Sequence, residues 1–159
     1  MRKIIKGNVN LNNLYLTELF DLSDVEVRGD FYCASNNLTN LEGSPITVTG
    51  DFICSNNQLS SLNGAPLIVD GDFYCNKNHL TSLKGAPRTV NGSFLCDINN
   101  LTSLEGLPET IGGDLVLDGY LEDKFSEEYI RGRCKIKGEI LFIDEDDYEG
   151  LDDLGHGEY

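Results

Sequence analysis

The feature that most constrains this chain is that it repeats itself. Slid against itself, the sequence brings four 21-residue segments into register without a gap, beginning at Val27, Val48, Val69 and Val90. They read VRGDFYCASNNLTNLEGSPIT, VTGDFICSNNQLSSLNGAPLI, VDGDFYCNKNHLTSLKGAPRT and VNGSFLCDINNLTSLEGLPET, sharing the frame V-x-G-D-F-x-C-x-x-N-x-L-x-x-L-x-G-x-P. A unit this short cannot enclose a core alone. It must bury its apolar positions against neighbouring copies, so the expected architecture is a mainly β repeat solenoid.

Weaker copies continue the pattern at both ends. Ile111 opens IGGDLVLDG, again 21 residues on, with Leu115 and Leu117 at the Phe and Cys positions. In DKFSEEYIR, Ser126 is placed to cap one short helix, with Glu127 and Glu128 in its first turn. Ile136 then opens IKGEILF, which repeats the frame at Gly138, Glu139, Ile140 and Phe142. At the start, GNVNL (Gly7 to Leu11) fits G-D-F-x-C, with a 22-residue step to the next copy. The expected organisation is one solenoid over 1–143: a cap repeat at 1–26, four regular repeats at 27–110, and a degenerate repeat, helix and capping strand at 111–143. An acidic tail follows at 144–159, with eight acids in sixteen residues. It is expected to be solvated, to act as an interaction tail, or to cover the basic strip Arg131, Arg133, Lys135 and Lys137.

Within each unit, Phe31 and Cys33 alternate with Asp30 and Tyr32, the period of a strand with one face inward. Strands of successive coils stack in parallel about 4.8 Å apart. Asn36, Asn57, Asn78 and Asn99 follow each strand at a turn. A side-chain amide both donates and accepts, so a stack of them can satisfy backbone groups that the bend leaves unpaired. Cys33, Cys54, Cys75 and Cys96 form a linear interior column. That arrangement suits small apolar packing and not four thiolates around one metal ion. The cysteine count of five is odd and agrees with a reducing compartment.

The stretch apolar-x-apolar-x-x-Asn-x-Leu, at Phe31 to Leu38, Phe52 to Leu59, Phe73 to Leu80 and Phe94 to Leu101, resembles the leucine-rich repeat. The short period with a proline-bearing return is similar to the bacterial subclass found in secreted effectors of enteric pathogens. The wording GDFxC with LTSLEGAP resembles repeat proteins of large tailed bacteriophages. The resemblance implies an arc with a parallel sheet on its concave face and an irregular convex side. It also implies a phage-encoded modulator of a host protein, working in the host cytoplasm. The Gly-Asp before the strand, and Cys or Phe where Leu is usual, depart from the family pattern. No ligase-like domain follows, so effector enzymology is not implied.

Charge narrows the function classes. Twelve basic residues face 27 acidic ones, a net charge of −15. Phosphate binding needs a basic face, so direct nucleic-acid binding is not expected. A protein partner is expected, and the charge favours a basic one. No apolar run reaches the roughly 18–20 residues that span a bilayer, and Met1 to Asn10 does not read as a signal peptide; the expected location is cytoplasmic. With His79 and His156 the only histidines and no nucleophile–base constellation, neither catalysis, a cofactor nor a metal is expected.

Two outward columns are the candidate protein-binding residues. The first is apolar: Tyr32, Ile53, Tyr74, Leu95, Val116 and Leu141. The second is acidic: Asp30, Asp51, Asp72 and Asp114, interrupted by Ser93 and continued by Glu139. Carboxylates about 4.8 Å apart repel by about 0.9 kcal/mol per pair even in water. Something offsets this: a hydrogen bond at the Gly-Asp turn, a basic partner, or bound cations. A protein-binding module using the concave face is therefore expected. The alternatives are an acidic mimic of nucleic acid and a self-associating structural component.

Overall fold

A computed structural model of the protein describes residues 2–144 and 146–147. It is a parallel β-solenoid of about seven coils, and the 21-residue spacing of the sequence is the spacing of the coils. Each coil contributes one short strand to each of two parallel seven-stranded sheets.

The first sheet contains β1 (Lys3–Lys6), β3 (Val25–Arg28), β5 (Thr47–Val48), β7 (Ile68–Val69), β9 (Thr89–Val90), β11 (Thr110–Ile111) and β13 (Lys135–Ile136). The second contains β2 (Val9–Asn10), β4 (Phe31–Tyr32), β6 (Phe52–Ile53), β8 (Phe73–Tyr74), β10 (Phe94–Leu95), β12 (Leu115–Asp118) and β14 (Ile140–Ile143). The solenoid, the parallel sheet through the Phe positions and the outer copies at both ends are as the sequence leads one to expect. The sheet through the Val positions is an addition. Two residues of strand there, with Val27, Val48, Val69, Val90 and Ile111 buried inward, leave too short a period-two signal to read in a single copy.

The core is a set of stacked columns. Phe31, Phe52, Phe73 and Phe94 are fully buried, with ring centroids 5.2, 5.2 and 5.3 Å apart along the stack. Beside them run the four cysteines and the leucine pairs Leu38/Leu41, Leu59/Leu62, Leu80/Leu83 and Leu101/Leu104. Two kinds of glycine let coils approach. Gly64 takes φ +92°, a left-handed conformation, and a Cβ there would strike the backbone of Leu41 and Glu42 in the coil before. Gly50, Gly71 and Gly92 leave room for a carboxylate oxygen from the preceding coil, as described below.

Between β11 and β13 the step widens to 25 residues (Thr110 to Lys135). The insertion holds a 3₁₀ turn (Gly119–Leu121) and the helix α1 (Glu127–Arg131). Ser126 caps α1 by accepting the Tyr129 N–H, and Ile130 is its buried anchor. Of the acidic segment 144–159, residue 145 and residues 148–159 lie outside the described residues.

Candidate functional site

The asparagine column closes one corner of every coil. Asn57 Nδ2 donates to the carbonyls of Cys54 (3.1 Å) in its own coil and Cys33 (3.0 Å) in the coil before. Its Oδ1 accepts the Leu38 N–H at 3.1 Å. Asn78 and Asn99 repeat this arrangement one and two coils on. All four side chains are buried. They are structural members and are not available to a ligand. The residue before each of them, Ser35, Asn56, Lys77 or Ile98, has φ between 51° and 54° or 57°.

The acidic column is a second ladder. Asp30 Oδ1 accepts the Asp51 N–H (2.9 Å), Asp51 Oδ1 accepts the Asp72 N–H (2.8 Å), and Asp72 Oδ1 accepts the Ser93 N–H (2.7 Å). Ser93 Oγ then accepts the Asp114 N–H (3.0 Å), and Asp114 Oδ1 the Glu139 N–H (2.8 Å). Asn8 Oδ1 starts the series on the Asp30 N–H. Each acceptor reaches into the next coil where a glycine stands. A Cβ at Gly50, Gly71, Gly92 or Gly138 would collide with the aspartate Oδ1 below it, and one at Gly113 with Ser93 Oγ. The Gly-Asp pair is thus one inter-coil device, and an amide–carboxylate hydrogen bond offsets the repulsion along the row.

The apolar column lies beside it and is tied to it. Tyr32 donates its hydroxyl to Asp30 Oδ2 (2.8 Å) and Tyr74 to Asp72 Oδ2 (3.1 Å). Ile53, between the two tyrosines, is only 3% exposed, and Val116 only 6%. Tyr32, Tyr74, Leu95 and Leu141 are half-buried. The face is therefore less open than its outward direction alone implies. It presents tyrosine edges, aliphatic ridges and carboxylates, with the whole set held in place. The second oxygens of Asp51 and Asp114 accept no hydrogen bond among the described residues. Burial raises the pKa of Asp51, and the charges of Asp72 and Asp30 add to it against the Asp72 N–H bond.

Other chemistry is weakly represented. Burial pushes the thiols of Cys33, Cys54, Cys75 and Cys96 far above their usual range, and Cys134 up to about 11. Cys54, Cys75 and Cys96 donate to carbonyls of the next coil. Among the described residues, no group of three or more His, Cys, Asp and Glu side chains is placed to hold a metal ion. None of the described helices is long and apolar enough to cross a membrane. The grooves are shallow. One of about 440 Å³ lies between Thr102–Leu107 and α1, where Arg133 stacks on Tyr129 at 3.5 Å. Another of about 480 Å³ is lined by His79, Asn100, Asp118, Tyr120 and Asp144.

The exposed apolar residues that the repeat frame did not single out lie elsewhere. Tyr15 (84% exposed), Phe20 and Leu14 sit in the first coil, and Leu67 (67%), Ile46 and Ile68 on the side of the first sheet. Ile46 and Leu67 occupy the frame position held by Arg88 and Glu109 in later coils, where an ion pair spans 2.9 Å. Comparing the repeats at that position was the available signal. The chain matches no known protein family, no curated protein and no solved structure.

Proposed function

We propose that the protein is a non-catalytic binding module that engages a basic segment of another protein on the outward face of the sheet β2–β14. The observation that carries this is the coupling of the two outward columns. Tyr32 and Tyr74 are hydrogen-bonded to Asp30 and Asp72, so aromatic area and negative charge are presented together in a fixed arrangement. Tyrosine suits interfaces because it offers a large apolar body with a polar tip. A preordered surface loses little side-chain freedom on binding. Of the two columns, the residues proposed to make contact are Tyr32, Tyr74, Leu95 and Leu141 with Asp30, Asp51, Asp72 and Asp114, while Ile53 and Val116 are too buried to reach a partner. The resemblance to leucine-rich repeats of large bacteriophages supports a cytoplasmic modulator or inhibitor of a host protein.

The test is capture from a bacterial lysate by the parent chain and by a Tyr32→Ala/Tyr74→Ala/Asp51→Lys variant. The variant should lose at least tenfold of a captured protein while keeping the parent's circular dichroism. Equal capture by both would sink the face assignment. DNA that displaces the captured protein would instead identify an acidic mimic of nucleic acid. Binding indifferent to salt would remove the electrostatic part of either reading.

A further inference from the structure

Among the described residues, β13 and β14 form the last strand edge at the C-terminal end of the solenoid. β14 pairs with β12, and β13 with β11, and neither has a neighbour on its other side among the described residues. One coil inward, the effect of a cover is visible. Leu115, Val116 and Leu117 beneath β14 are 0, 6 and 0% exposed, whereas Ile140, Leu141, Phe142 and Ile143 are all half-buried. An unpaired edge with partly covered apolar side chains is a template for another strand.

The rim of this edge is basic, in a chain whose net charge is −15. Arg133, Lys135 and Lys137 are exposed. Arg133 is occupied by Tyr129, while Lys135 and Lys137 form no ion pair among the described residues.

A second copy of the chain fits this edge badly. Continuing the ladder head to tail would place Ile4 on Lys135, Ile5 on Ile136 and Lys6 on Lys137. A two-fold pairing would place Lys135 and Lys137 against their own counterparts. Like charges directly opposed across strands are destabilising. An acidic segment that also carries apolar residues fits well, and one begins five residues beyond Ile143. Residues 148–159, YEGLDDLGHGEY, contain Glu149, Asp152, Asp153 and Glu158 together with Tyr148, Leu151, Leu154 and Tyr159.

We propose that the β13–β14 edge is a docking site for residues 148–159 of the same chain, which cover Ile140 and Phe142 and neutralise Lys135 and Lys137. The edge is then closed in cis.

The test is residue-resolved hydrogen exchange on the 159-residue chain, with Phe73 and Cys75 as reporters of the intact fold. The Ile140 and Phe142 amides should be protected in the parent. Lys135→Glu with Lys137→Glu should speed their exchange at least tenfold, as should Asp152→Lys with Asp153→Lys, while Phe73 and Cys75 stay slow. Combining the four substitutions should restore protection to within about threefold of the parent. Exchange that is equally fast in parent and variants would show a bare edge and overturn the proposal. So would a combined variant that stays unprotected, or protection that grows with protein concentration, which would make the occupant a second copy.

Discussion

At the residue scale, the Gly-Asp pair shows how one side chain serves two purposes. Each aspartate holds the next coil's amide with one oxygen, and at Asp30 and Asp72 the other accepts a tyrosine hydroxyl. The carboxylate charge is not needed for the first purpose, since Asn8 Oδ1 and Ser93 Oγ do the same with neutral groups. Asp51→Asn should therefore keep the inter-coil bond and shed the repulsion from Asp30 and Asp72. The sign follows from the raised Asp51 pKa. An acid whose folded pKa lies above its unfolded value loses stability as pH rises through the folded value. At pH 7 the parent thus bears a penalty that the asparagine variant lacks. Thermal melts should show the variant more stable than the parent at pH 7, with the difference gone at about pH 3, below the ordinary carboxylate range. An advantage independent of pH would refute this account of the row.

At the scale of the element, these strands are unusual in being only two residues long in the regular coils. Strands that short carry little of the fold alone. The corners do the rest, and the asparagine ladder is the corner. Asn57 joins the backbone of two coils, through Cys33 and Leu38 in the coil before and Cys54 in its own. Replacing it by Ala orphans the buried Leu38 N–H and removes one of two amide donors from the carbonyls of Cys33 and Cys54, which keep Asn36 and Asn78. At roughly 1–3 kcal/mol for a buried group left unpaired, a loss of about 1–3 kcal/mol is expected. Urea denaturation would measure it. A loss below about 1 kcal/mol would mean that the Leu38 N–H finds another acceptor and that the ladder is incidental. The asparagine's role was legible from the sequence, because only a group that donates and accepts suits a recurrent bend. The left-handed backbone just before it was not legible. Ser35, Asn56, Lys77 and Ile98 share no side-chain chemistry that announces it, and a β-branched isoleucine argues against it locally. The stacked coils impose that conformation from outside.

At the scale of the whole molecule, the Phe, Cys, Leu and Val columns run through every coil and form one continuous core. The thiols report on it. All five cysteines are buried and their pKa values are raised, so the thiolate needed for reaction is scarce in the folded chain. An aromatic disulfide reagent at pH 8 should label none of them rapidly in the native protein. Along a urea series, labelling should rise together with the loss of the β-sheet signal. Early labelling of Cys134 alone would instead show the coils near α1 opening as a separate unit, which repeat proteins permit because each coil contacts only its neighbours.

The sequence by itself determined the coil length, the number of coils, which residues point inward and the place of the capped helix. All of these are periodic or local, and repetition amplifies a pattern that one copy would leave ambiguous. Tertiary structure alone decided the rest, because it depends on what the neighbouring coil places alongside. The second sheet, the burial of Ile53 between two tyrosines, and the aspartate oxygens seated where each following glycine lacks a Cβ all arise between coils. The outward columns were readable as columns. Their coupling through tyrosine hydroxyls and carboxylates was not, because a hydrogen bond between side chains two residues apart on a strand requires the rotamers that packing selects.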